Sequence, residues 1–97
     1  MPLTQREKKH LRRLGHDLHP VIMIAGQGLK PTVLAAVDEA LTAHELIKVR
    51  IRTDERATRQ AWLRQLCETS GAELVGQTGF TALLYRPHPE CPRIRFD

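Results

Sequence analysis

A chain of 97 residues has room for one hydrophobic core and no second domain. With 41% hydrophobic and 27% charged residues it has the balance of a globular domain rather than a disordered one. Its formal net charge of +4 points to an anionic partner, and the charged opening "MPLTQREKKHLRRLG" contains neither a secretory signal nor a membrane span. The expectation is a cytoplasmic protein without membrane association. Residues 1–30 carry six basic residues (Arg6, Lys8, Lys9, Arg12, Arg13, Lys30) against two acidic ones (Glu7, Asp17), whereas residues 31–97 balance nine against nine. The positive excess is therefore confined to the N-terminal third.

In chain order, Thr4 followed by Glu7 is a capping-box pattern that opens a first helix. Leu11, Leu14 and Leu18 form its narrow inward stripe, and Gly15 with His19-Pro20 ends it. "VIMIA" (21–25) is a continuous apolar run that suits a strand buried on both faces. Pro31 then opens a second helix over 31–44 with Val33, Leu34, Val37, Ala40 and Leu41 on one side. "LIKVRIR" (46–52) alternates, with Ile47, Val49 and Ile51 inward and Lys48, Arg50 and Arg52 on a wet basic face. A third helix follows from Thr53 or Asp54 as N-cap, with Ala57, Ala61, Leu63 or Trp62, and Leu66 inward and Gly71 as its C-terminal cap. "ELVGQ" and "FTALLYR" are two strand-like runs separated by "TG", a predicted hairpin. The proline-rich 88–97 segment reads as a surface tail, which places a domain boundary after residue 87.

The fold class expected is α/β: a compact sandwich of order α-β-α-β-α-β-β around one four-stranded mixed sheet. Between first strand and second helix lies "AGQGLKP", a side-chain-poor loop beside Lys30. It fails as a dinucleotide fingerprint, because Pro31 stands where a small residue is needed, and as a nucleotide P-loop, because no Gly-Lys-Ser/Thr follows. Two readings stay open: a plain strand-to-helix turn that needs glycine, or a helix N-terminus that lets a nucleic-acid phosphate approach backbone amides.

"LTQREKKHLRRLGHDLHPVIMIAGQGL", "HELIKVRI" and "LLYRP", in that order over residues 3–87, resemble the bacterial YhbY family, the single-domain form of the CRM domain of chloroplast splicing and ribosome maturation proteins. The resemblance implies an RNA-binding domain similar in fold to the C-terminal domain of translation initiation factor 3, associated with precursors of the large ribosomal subunit. It also implies a GxxG loop, which maps here to Ala25, Gly26, Gln27 and Gly28, with alanine in place of the first glycine. "GQTG" at 76–79 matches the motif literally but lies between the last two strands and reads as a turn.

The candidate RNA-binding residues are Lys8, Lys9, Arg12, Arg13, Ala25, Gly26, Gln27, Gly28, Lys30, Lys48, Arg50 and Arg52. Trp62, Phe80 and Tyr85 read as core or core-edge residues, so no aromatic stacking platform is expected. Asp38, Glu39 and Glu45 read as solvated or capping charges, and Cys67 and Cys91 as free thiols. The five histidines show no metal spacing, so neither a metal nor any other cofactor is expected. The chain is thus expected to be a monomeric, non-catalytic RNA binder with no small-molecule substrate. The competing readings are an adaptor whose basic helix docks an acidic protein, and a small hydrolase using Cys67.

Overall fold

The computed structural model describes residues 3–96. Its elements follow the expected order: α1 (Gln5–Gly15), β1 (Pro20–Ala25), α2 (Pro31–His44), β2 (Leu46–Arg52), α3 (Arg56–Ser70), β3 (Glu73–Thr78) and β4 (Thr81–Tyr85). The strands form one sheet of order β1-β2-β4-β3. β1 and β2 are parallel and are joined by the crossover through α2 that such a pair needs, and β4 runs antiparallel to both β2 and β3.

Strand alternation divides the core between the two faces of this sheet. Ile24, Ile47, Val49, Ile51, Ala82 and Leu84 pack with Val37 and Leu41 of α2 and Leu63 and Leu66 of α3. On the other face a smaller cluster joins Leu11 of α1 to Leu46, Val75, Leu83 and Tyr85, with Leu18, Ile94 and Phe96 against it. Each fully buried aliphatic side chain contributes about 1.5–3 kcal/mol, so the larger cluster dominates stability.

α1 begins as its sequence dictates. Thr4 Oγ1 accepts the Glu7 amide at 3.1 Å, and Glu7 Oε1 accepts the Thr4 amide at 2.9 Å. Its inward stripe is narrower than expected: Leu11 is buried, whereas Leu14 is exposed. Gly15 is itself the last helical residue, and a Cβ there would lie 2.6 Å from Leu83 Cδ2. The glycine thus permits a close approach of α1 to β4.

Three further expectations are corrected by the packing. β1 is an edge strand, and α1 packs over β2, β3 and β4, so Val21 and Met23 stay exposed instead of being buried on a second face. The N-cap of α3 is Glu55 rather than Thr53 or Asp54, and its inward residues are Leu63 and Leu66 with Trp62 half-buried, while Ala57 and Ala61 face solvent. The hairpin turn is Gly79-Phe80, one residue later than "TG", with Thr78 paired to Thr81. Phe80 consequently leaves the strand and is exposed, not core.

Glu45 is the largest departure. It is fully buried and adopts a positive φ of 64° between α2 and β2. Its Oε2 accepts the His88 amide at 2.9 Å, and its Oε1 accepts the amides of Arg93 at 2.8 Å and Ile94 at 3.1 Å. The tail has no regular structure, as its prolines suggest, but this carboxylate and the packing of Ile94 and Phe96 fasten it to the domain.

Candidate nucleic-acid interface

β2 presents Lys48, Arg50 and Arg52 opposite its core-facing isoleucines and valine, with Arg50 and Arg52 exposed and Lys48 half-buried. α1 lies over part of this sheet face and leaves an open groove of about 870 Å³ beside it. Arg12 and His16 of α1, Lys48 and Arg50 of β2, and Gln77, Thr78 and Thr81 of the hairpin line it. No aspartate or glutamate is among its lining residues.

Local packing fixes where these cations project. Arg12 lays its aliphatic stem over Gly76, where a Cβ would sit 3.2 Å from Arg12 Cδ, and Arg12 Nη1 donates to the Val75 carbonyl at 3.4 Å. Gly76 and Lys48 both pair with Leu83 in the sheet, so Arg12 and Lys48 flank one β4 residue. Arg50 reaches two depressions, because it also lines an adjoining cleft with Arg52, Thr53, Asp54 and Phe80.

The glycine loop stands at the same end of the sheet as Arg52, since Ala25 pairs with Arg52. Ala25, Gly26 and Gln27 are exposed, whereas Gly28 is buried. Gly26 has φ +61 and open space around it. Gly28 has φ +78, and a Cβ there would meet the Trp62 ring at 2.8 Å. The two open readings of this loop therefore divide by residue: Gly28 serves turn and packing, and Gly26 is the glycine that a ligand could approach. The N-cap of α2 is Lys30, which makes no side-chain cap and precedes Pro31, so a helix N-terminus without an internal cap adjoins the loop.

The remaining candidates separate from the groove. Lys9 and Arg13 line a different depression with Arg6, Glu7, His10 and Phe96, and Lys8 is half-buried on α1. The basic helix therefore presents two faces, of which one, through Arg12, joins the sheet cations. Among the described residues the ion pairs are Arg86–Asp38 at 2.7 Å and Arg93–Glu45 at 3.7 Å, and neither involves a candidate RNA-binding cation.

Two other cations, Arg86 and Arg93, instead hold the fold. Arg86 donates to Asp38 Oδ1 and the Ser70 carbonyl at 2.7 Å each, and to Thr42 Oγ1 at 3.0 Å, clamping α2 and α3 to the end of β4. Arg93 donates to the carbonyls of Thr42 and Ala43 at the end of α2. Sequence reading missed the groove roles of His16, Gln77, Thr78 and Thr81, and only strand register could have supplied the last three.

Alternative chemistry finds little support in the geometry. Burial raises the Cys67 thiol pKa, and Glu73 and Glu68 push it the same way, which opposes formation of a nucleophilic thiolate. Both cysteines are free, and no group of three or more His, Cys, Asp or Glu residues able to hold a metal occurs among the described residues. No helix of the described chain is long and apolar enough to cross a membrane.

Two sequence relatives and one solved structure similar to this chain are named for RNA binding. The chain is 46% identical over 90 residues to a probable RNA-binding protein of Pseudomonas aeruginosa, covering 93% of this chain and 86% of that one. It is 39% identical over 88 residues to an RNA-binding protein of Haemophilus influenzae, covering 91% and 89%. A Staphylococcus aureus protein solved in solution, and proposed there to bind RNA, superposes with a TM-score of 0.79 at 29% identity over 92% of this chain and 93% of that one. A family model matches residues 3–86, and with the shared architecture it establishes that the chain belongs to the CRS1/YhbY (CRM) domain family.

Proposed function

We propose that this protein binds RNA, without catalysis, through the groove between α1 and β2 and the adjoining glycine loop. The observation that carries the reading is the convergence of Arg12, Lys48 and Arg50 in one open groove whose lining contains no acidic residue. Guanidinium and ammonium groups placed there neutralise phosphates and release their counterions. The loop adds the exposed Gly26 backbone and the uncapped start of α2, both suited to an anion. The names of the family relatives support RNA as the anionic polymer.

The test compares two sets of substitutions on a structured RNA hairpin across a salt series. Replacing Arg12, Lys48 and Arg50 together by alanine lowers affinity and reduces the slope of log K against log salt by about 2 to 3, close to one per lost phosphate contact. Replacing Lys9 and Arg13 changes both far less. A larger loss from the Lys9 and Arg13 set would place the interface on the outer face of α1 instead, and equal losses would extend it over both faces.

The cellular role that best accommodates such a domain is assembly of the large ribosomal subunit in the cytoplasm, with the protein acting as a single chain on precursor RNA. Gradient sedimentation of a lysate tests this: the protein comigrates with large-subunit precursors, and nuclease treatment releases it. A complex that persists after nuclease would favour an acidic protein partner.

A further inference from the structure

We propose that Phe80, flanked by Arg50 and Arg52, is a stacking platform for one unpaired base of the RNA; this assignment rests on the RNA-binding reading above. Phe80 is 44% exposed although it is one of only four aromatic residues in the chain. Its position is fixed. Gly79, with φ +59, makes the two-residue turn possible, and the Phe80 carbonyl accepts the Ile51 amide at 2.7 Å, docking the turn on β2 between Arg50 and Arg52.

The ring is backed by a cation. The Arg59 guanidinium carbon lies 5.1 Å from the ring centroid, and Arg59 Nη1 is held by the Thr53 carbonyl at 3.0 Å. Phe80 also lines the cleft of about 320 Å³ that holds Arg50, Arg52, Thr53 and Asp54. A base lying on the ring would have guanidinium groups within the same cleft for its phosphate. Asp54 is the one acidic lining residue, and it disfavours phosphate at its own position while offering an acceptor to a base amino group.

Arg50 belongs to both the cleft and the groove of Arg12 and Lys48. A strand whose phosphates follow the groove therefore reaches Phe80 without leaving the basic surface. Aromatic stacking is tolerant of sequence and needs an unstacked base, so the platform selects single-stranded or bulged RNA over a continuous duplex.

The probes are a hexa-adenylate carrying one 2-aminopurine and a blunt-ended RNA duplex. Phe80→Leu keeps an apolar side chain in an exposed turn and so preserves the fold, which thermal unfolding verifies. The expected result is hexa-adenylate binding weakened about 5- to 100-fold, with loss of the 2-aminopurine quenching and little change on the duplex. Phe80→Trp restores both binding and quenching. Unchanged hexa-adenylate affinity and quenching in Phe80→Leu, combined with loss of both probes in the Arg50→Ala, Arg52→Ala variant, would overturn the platform while leaving phosphate binding intact. Failure of the unmodified protein to bind either probe would overturn the RNA-binding reading together with the platform.

Discussion

Gly26 and Gly28 share a positive φ, 61° and 78°, but the surroundings separate their roles. At Gly26 an alanine meets only the backbone cost of the left-handed region, about 1–2 kcal/mol. At Gly28 the same substitution also drives a methyl into the Trp62 ring, adding about 1–3 kcal/mol of overpacking. Urea denaturation is expected to rank Gly28→Ala as the more destabilising of the two, and equal losses would show that Trp62 yields freely. Gly28 is thus a poor probe of ligand contact, and Gly26 a good one. Asn and Asp both tolerate positive φ, so Gly26→Asp against Gly26→Asn isolates charge from shape. If phosphate approaches this loop, the aspartate weakens RNA binding and the asparagine largely retains it; parallel losses would make the effect steric. Sequence alone identifies the need for glycine here, because the turn is local. It cannot assign the two glycines different tasks, because Trp62 arrives from another element.

Among the helices, α1 carries a complete capping box, whereas Lys30 and Glu55, the N-cap residues of α2 and α3, make no side-chain cap. Both uncapped residues have extended backbone angles, so a shorter acceptor side chain could reach the first-turn amides. Glu55→Ser is expected to stabilise the protein by about 0.5–1 kcal/mol, read from the denaturation midpoint. Lys30→Asp is expected to give a similar gain while weakening RNA binding, since it occupies the proposed anion site and reverses a charge. Stability and affinity moving together at Lys30 would argue against a phosphate at the α2 N-terminus. The α1 cap was readable because its two partners lie three residues apart. The burial of β1 was not, because apolar composition suits either a central strand or an edge strand, and only the order β1-β2-β4-β3 decides. In the hairpin, a shift of one residue in the turn was enough to move Phe80 from strand to solvent.

At the scale of the whole molecule, helical and strand periodicity disclosed the element order and most of the larger core cluster. The smaller cluster joins Leu11 of α1 to Leu46, Val75, Leu83 and Tyr85 of three strands, with Ile94 and Phe96 of the tail against it, and periodicity does not encode such long-range contacts. Glu45 is the junction of that assembly: α2, β2, Arg86 and the tail all meet it, through side chain or backbone. Burial alone would raise the pKa of this carboxyl, but the amides of His88, Arg93 and Ile94, together with the charge of Arg93, outweigh it and leave the pKa below the ordinary value. Because the folded group titrates below the unfolded one, its ionised form adds stability above about pH 4.3, and that contribution is lost as pH falls through the lowered folded value. Acidification is therefore expected to release the tail first, with hydrogen-exchange protection falling at His88, Arg93 and Ile94 while the β2 and β4 amides remain protected. Glu45→Gln leaves only one oxygen to accept these amides, so it should cost about 1–3 kcal/mol at neutral pH and abolish the acid step. Tail protection that persisted in the native protein down to global acid unfolding would assign the anchoring to Ile94 and Phe96 alone.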